Sequence, residues 1–129
     1  MPLAEPTNTE KLCGKNFIIT DEVERTNETV TSTGLSAYNA CDLDDIERYE
    51  INGTYTFDER AVKCDPIWAK TCQFNCTFAN NAMKLLIGDS IIGYDTYDII
   101  KNDGTILIVS ESYINAPDAL VYKYTFTAH

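Results

Sequence analysis

Apolar and polar residues alternate along most of this chain in short runs separated by turn residues, and no long stretch keeps the 3.6-residue spacing of a helix. Alternation with period two is typical of β-strands that bury one face. The pattern predicts eight strands, near residues 16–24, 46–51, 54–59, 71–78, 83–88, 93–101, 105–113 and 120–127. Eight strands joined by local turns suffice to close a barrel. We therefore expect an all-β fold, an eight-stranded antiparallel up-and-down β-barrel.

The clearest turn signal is the Asn-Gly dipeptide at 52–53, which β-branched and aromatic residues flank. A two-residue loop would pair Tyr49 with Thr56 and bury a charged side chain on the aromatic face. A three-residue loop pairs Tyr49 with Tyr55 instead. Because charges are costly to bury, we predict the three-residue loop, with Gly53 at a positive φ.

Two more hairpins are predicted from turn residues. One has Asn80-Asn81 at its tip, and the other has Asn102-Asp103-Gly104, for which we assume a three-residue loop. The expected cross-strand pairs are Phe78 with Met83, Cys76 with Leu85 and Phe74 with Ile87 in the first, and Ile99 with Leu107 and Tyr97 with Val109 in the second.

The block from Ala40 to Pro66 contains, in order, AlaCys, AspAsp, AsnGlyThrTyrThr, AspGlu and LysCysAspPro, and LeuCysGlyLysAsnPhe precedes it at 12–17. In order and spacing these motifs resemble the lipocalin-like domain of small exported bacterial lipoproteins. Phe17 stands where that family usually has the tryptophan of its opening Gly-Lys-Trp. The later ThrCysGlnPheAsnCysThrPhe, AsnAsnAlaMetLysLeuLeuIle and TyrLysTyrThrPheThr fall where the family has its later strands, so the resemblance spans nearly the whole chain.

The resemblance implies a lipocalin-like, calycin-type barrel over residues 12–129. Residues 1–11, with two prolines and polar neighbours, are predicted to be a flexible leader. In the lipoproteins that the chain resembles, such a leader tethers the domain to a lipidated cysteine, so we expect a lipid tether through an N-terminal cysteine that is removed or absent here. Five cysteines in 129 residues also indicate an oxidising compartment. We expect an exported protein of the periplasm or cell surface, with its signal removed.

The cysteines fall into two groups. Cys41 and Cys64 flank the Asn-Gly hairpin and are placed to meet in a disulfide, which would contribute about 3 kcal/mol in the chain-entropy model. The alternative is two buried free thiols. Cys72 and Cys76 are about 13 Å apart on one strand, too far to bridge each other or share an ion. Cys76 is predicted to be buried as an apolar residue, and Cys13 and Cys72 to be free or paired across strands.

The acidic composition limits the partners. Ten Lys and Arg against twenty Asp and Glu give a net charge of −10, which repels nucleic acid and anionic membranes. No apolar run reaches the length of a transmembrane segment. The single histidine, His129, has no partner at zinc-binding spacing, so we expect neither a metal nor a cofactor. The cluster of Asp42, Asp44, Asp45 and Glu47 lacks the order of a calcium loop and is predicted to be a solvated rim or a turn.

The aromatic residues, 1 Trp, 8 Tyr and 5 Phe, fall mostly on one face of each strand. Such a face fills a core or lines a pocket, and a buried tyrosine hydroxyl needs a partner that a ligand or trapped water could supply. The residues expected to line a ligand pocket are Phe17, Tyr49, Tyr55, Phe57, Phe74, Leu85, Tyr97 and Tyr124. The connection from Val30 to Asn39, with Leu35 and Tyr38, is placed to act as a lid; the alternative is an ordinary mobile loop.

Catalysis finds little support, because no histidine is placed to activate a serine or cysteine and no phosphate loop or Gly-x-Ser-x-Gly elbow is present. We expect no enzyme, but non-enzymatic binding of a small, partly apolar molecule, hydrophobic or amphipathic, inside the barrel. The alternative is a filled barrel that acts as a cell-surface interaction module or inhibitor. An exposed aromatic residue in a loop would favour the alternative, and the candidates are Tyr38, Trp68 and Tyr113.

Overall fold

In a computed structural model the chain forms a closed, eight-stranded, antiparallel up-and-down β-barrel, as predicted. The residues that the structure describes are 7–35, 38, 40–60, 71–89, 91, 93–115 and 118–128. The strands are β1 (Asn16–Thr26), β2 (Thr29–Thr33), β3 (Ile46–Tyr49), β4 (Thr54–Asp58), β5 (Thr71–Ala79), β6 (Lys84–Asp89), β7 (Gly93–Asn102), β8 (Ile106–Asn115) and β9 (Asp118–Ala128). The helices are α1 (Asn8–Leu12) and α2 (Ala40–Leu43).

The barrel closes where β1 pairs with β9, and the extra strand β2 forms a hairpin with β1 outside the ring. The segment of β2 was predicted to be a loop. Its side chains are exposed on both faces, so burial imposed no alternation in its sequence from which a strand could be recognised. β1 pairs with β3 only at Asn16 and Phe17, and with β2 only from Val23 onward.

A β-bulge at Thr20 changes which side chains of β1 face the barrel interior. Before the bulge Ile19 lies opposite Phe126, and after it Glu22 lies opposite Tyr124. Cross-strand partners share a face of the sheet. The bulge therefore places Glu22 on the aromatic inner side of β9, where unbroken alternation would have directed this glutamate outward.

The predicted register of the Asn-Gly hairpin is confirmed. Tyr49 pairs with Tyr55, and their ring centroids lie 5.4 Å apart. The amide of Glu50 donates a hydrogen bond to the carbonyl of Thr54 at 2.8 Å, which leaves three residues in the loop. Gly53 has a φ of +89°, the left-handed conformation that glycine adopts without a steric penalty.

The predicted registers of the other two hairpins are wrong by two residues. Phe78 pairs with Leu85, because three successive residues after Ala79 have positive φ and extend the loop to four residues. Ile99 pairs with Val109, because the ladder ends at Asn102 opposite Leu107 and leaves a loop of four residues, which shifts the register by three, and the bulge at Ile100 reduces this shift to two. A shift of two leaves each side chain on its predicted face.

The helix α1 closes one end of the barrel, where the flexible leader was predicted to extend to residue 11. Thr7 caps the helix through its side chain, and the side-chain amide of Asn8 donates to the backbone carbonyl of Asn81 at 2.9 Å. The side chain of Asn102 donates to the carbonyl of Asn8 at 3.0 Å. Leu12 is 0% exposed because it points into the barrel core. Residues 1–6 lie outside the described part of the chain.

The hydrophobic core fills the half of the barrel beside α1. Its largest fully buried side chains are Leu12, Phe17, Leu85 and Leu107. Among the helices of the described residues, none is long and apolar enough to cross a membrane.

Three cysteines of the described part carry free thiols, Cys13, Cys72 and Cys76. Cys76 is buried, as predicted, and its burial raises the pKa of the thiol to about 11. Cys64, the partner predicted for Cys41, lies outside the described residues, so the disulfide between them stays a prediction.

Candidate functional site

A cavity of about 280 Å³ occupies the half of the barrel away from α1. It lies next to the packed core, on the side away from α1. Inward side chains of seven barrel strands line it, together with residues of the segment that contains α2. Its lining residues are Ile19, Tyr38, Asp42, Asp45, Glu47, Tyr49, Phe57, Ile87, Tyr97, Val109, Tyr124 and Phe126. The composition is typical of small-molecule sites, which combine apolar walls with a few polar groups.

The walls of the cavity follow from the inward alternation of the strands. Phe126 and Tyr124 occupy successive inward positions of β9, and their ring centroids lie 6.5 Å apart. Val109 lies opposite Tyr124 on β8. These side chains form an apolar and aromatic surface on one side of the cavity.

Another side of the cavity is acidic. Asp42 and Asp45, in and after α2, line the cavity together with Glu47 of β3. Burial, followed by the nearby carboxylates of Asp42 and Asp44, raises the pKa of Asp45 to about 7. Oδ1 of Asp45 is buried and has no hydrogen-bond partner within the described part of the chain. The acidic cluster is therefore only in part the solvated rim that we predicted.

Tyrosine hydroxyls hold carboxylates around the cavity. Tyr55 donates to Oε1 of Glu47 at 2.6 Å, and Tyr124 donates to Oε1 of Glu111 at the same distance. Both lengths are typical of a hydroxyl that donates to an ionised carboxylate. Burial raises the pKa of Tyr55 and of Tyr124, so both hydroxyls keep their protons and act as donors. Burial also raises the pKa of Glu47, and the bond from Tyr55 lowers it.

A third pair of a tyrosine and a carboxylate lies at the mouth of the cavity. Tyr38 hydrogen-bonds the side chain of Glu22, the residue that the bulge of β1 directs inward, and burial followed by this contact raises the pKa of Tyr38. Tyr38 lines the cavity, and its amide donates to the carbonyl of Leu35 at 3.0 Å; its role as a lid residue stays a prediction. Leu35 is half-buried and does not line the cavity.

A second cavity, of about 420 Å³, opens in the barrel wall where the start of β5 is not paired with β6. It shares Phe57, Ile87 and Tyr97 with the first cavity. Gly88 and Gly93 line it and flank two positions that the structure does not describe. We take the first cavity, which inward side chains of seven barrel strands line, as the candidate site.

The predicted pocket residues separate into three groups. Tyr49, Phe57, Tyr97 and Tyr124 line the candidate site. Tyr55 and Phe74 line the second cavity, Phe74 being 43% exposed. The prediction is wrong for Phe17 and Leu85, because their positions on β1 and β6 place them in the solid core around Leu12 and Leu107.

Sequence reasoning missed seven lining residues: Ile19, Asp42, Asp45, Glu47, Ile87, Val109 and Phe126. The four apolar residues occupy inward positions of predicted strands, so alternation could have identified them. Alternation could also have identified Glu47, which lies two residues before Tyr49 on the inward face of β3. Asp42 and Asp45 could not be found in this way, because the fold of the segment before β3 directs them to the cavity.

Among the described residues, no group of His, Cys, Asp or Glu has the arrangement of a metal site. Neither a family model, nor a curated protein, nor a solved structure matches this chain. The class that the structure defines is an up-and-down β-barrel with a partly open cavity, and the resemblance to lipocalin-like lipoproteins stays a prediction.

Proposed function

We propose that this barrel binds a small, partly apolar molecule in the cavity beside Tyr124 and catalyses no reaction. The cavity itself carries the proposal, because an eight-stranded barrel filled by its own side chains would have no such space. The volume is near the lower end of ligand pockets, which favours a small ligand.

The lining supports a ligand with both apolar and polar parts. Phe126, Val109 and Ile87 provide apolar contact, and the acidic side provides hydrogen-bond acceptors. Tyr55 and Tyr124 already donate to carboxylates. Their hydroxyls therefore need no ligand as a partner, and recognition falls to the remaining polar groups.

The proposal includes export to the periplasm or cell surface, with a lipid tether. Its support is the cysteine content and the resemblance to exported lipoproteins. A filled barrel that acts as an interaction module is favoured by one observation, the 47% exposure of Tyr113. Tyr113 lies on β8 and not in a loop, Tyr38 lines the cavity, and Trp68 lies outside the described residues.

An uncharged fluorescent probe, N-phenyl-1-naphthylamine, tests the proposal. We expect saturable binding with one site and a rise in melting temperature by mass action. The variant Ile87→Trp fills the cavity and should abolish binding in a folded protein. Ile100→Trp, at a position of β7 that is 56% exposed, is the matched control and should bind normally.

Absence of saturable binding by the wild-type protein across a broad apolar panel would contradict the proposal. Equal binding by the wild-type protein and Ile87→Trp would place the probe elsewhere and would also count against it. Circular dichroism of both variants confirms that each is folded.

A further inference from the structure

Among the residues that the structure describes, the charged residues that line the candidate cavity are all acidic. Asp42, Asp45 and Glu47 line it, and none of its described lining residues is basic. Two further carboxylates are hydrogen-bonded to tyrosines of the lining, Glu111 to Tyr124 and Glu22 to Tyr38. Like charges at the edge of an apolar space repel each other, and a positive charge there would relieve the repulsion.

From this geometry we infer that the ligand of the cavity is a small organic ammonium ion with an apolar or aromatic body. The inference rests on the proposed function and names its ligand class. The ammonium group would lie against Asp45 and Glu47, and the body would lie against Phe126 and Val109. Oδ1 of Asp45, which is buried without a described hydrogen-bond partner, is the acceptor that such a donor would satisfy.

The walls favour an organic cation over a metal ion. A metal ion needs several oxygen ligands converging on one point, and no described group of acidic residues has that arrangement. The aromatic lining instead suits an ammonium group, which is attracted to the faces of tyrosine and phenylalanine rings. Phe57, Tyr49 and Tyr97 supply such rings beside the acidic side.

The size of the cavity limits the body of the ligand. About 280 Å³ accommodates a compact aromatic body rather than a long lipid chain. The net charge of −10 also attracts cations toward the barrel and repels anions.

Three compounds with one body and different charges test the inference. They are 2-phenylethylamine, which is a cation at neutral pH, 2-phenylethanol, which is neutral, and phenylacetate, which is an anion. Calorimetric titration should show the amine binding about tenfold or more tightly than the alcohol, as expected for hydrogen bonds to charged groups. Phenylacetate should bind weakest.

Two variants connect this preference to the acidic side. Asp45→Asn and Glu47→Gln should each reduce the affinity for the amine about tenfold and that for the alcohol much less, so that the preference for the amine shrinks. Glu47→Gln keeps an oxygen acceptor for Tyr55. Glu10→Gln, which removes one negative charge from α1 at the other end of the barrel, should change neither affinity.

Any one of three results would overturn the inference. The amine and the alcohol could bind with equal affinity, phenylacetate could bind more tightly than the amine, or the preference for the amine could survive both variants. Stabilisation by Ca²⁺ alone that disappears in the same variants would show a metal site and overturn it as well. If the naphthylamine probe binds in any of these cases, the proposed function stands and only the ligand class fails. If neither the naphthylamine probe nor any of the three compounds binds, both the proposed function and the ligand class fail.

Discussion

The Tyr55 hydroxyl reaches diagonally across the β3–β4 hairpin to the carboxylate of Glu47, at 2.6 Å. The two residues are not cross-strand partners, since Tyr55 lies opposite Tyr49 and Glu47 opposite Phe57. Tyr55 is buried in the core, and Glu47 lines the cavity. The hydrogen bond therefore connects the packed half of the barrel to the candidate site.

Tyr55→Phe should lower the free energy of unfolding by about 1–3 kcal/mol, because it leaves the buried carboxylate of Glu47 without its donor. Urea denaturation measures the loss. Tyr113→Phe is the matched control, since Tyr113 also donates to a glutamate, at 2.9 Å, but from an exposed position. Equal losses in the two variants would show that the Tyr55 contact contributes nothing specific.

The pH dependence of stability should reveal Asp45. Its pKa in the folded protein, about 7, lies above the value of about 3.9 in an unfolded chain. Between these values the folded state binds more protons, so the contribution of this group to stability falls as the pH rises, and its full cost is present above pH 7. Asp45→Asn should therefore raise the melting temperature more at pH 8 than at pH 4.

Glu10→Gln provides the control for this experiment, because it removes an exposed carboxylate far from the acidic cluster. Its effect on the melting temperature should be similar at both pH values. A gain for Asp45→Asn that does not depend on pH would contradict the raised pKa.

The packing of α1 against the barrel can be measured at its last residue. Leu12→Ala should destabilise the protein by about 2–5 kcal/mol, because the substitution leaves a cavity in the core. Leu43→Ala, at a leucine of α2 that is 37% exposed, should cost less than about 1 kcal/mol. A loss for Leu12→Ala as small as that of the control would support the flexible leader predicted from the sequence.

Two glycines with positive φ differ in their surroundings. A Cβ at Gly53 would lie 3.1 Å from the carbonyl oxygen of Cys76, whereas no described atom lies within 4 Å of one at Gly14. Gly14→Ala should cost about 1–2 kcal/mol from backbone strain alone. Thermal denaturation should show a larger loss for Gly53→Ala, and the reverse order would contradict the close approach of β5 to this loop.

The disulfide between Cys41 and Cys64 is testable by peptide mapping without reduction. The expected product is one linked pair, with Cys13, Cys72 and Cys76 as free thiols. Linkage of Cys41 to any of these three would refute the pairing. A Cα separation above about 7 Å in an experimental structure would refute it too.

The sequence by itself determined the barrel and the register of its first complete hairpin. Both depend on short-range signals: alternation identifies the inward side chains, and the Asn-Gly turn leaves one register that buries Tyr49 and Tyr55 together. The same alternation correctly directed Tyr97 and Tyr124 to the interior. It could not say how deep each residue lies along the barrel axis, so the packed Phe17 and Leu85 were assigned to the pocket.

Only the tertiary structure decided what surrounds the cavity. The bulge at Thr20, which turns Glu22 inward, depends on pairing with a strand about one hundred residues away. The approach of Asp45 to the apolar wall and the packing of Leu12 at the other end also depend on contacts distant in sequence. Such contacts form only when the closed ring brings its strands together, and no local pattern of residues encodes them.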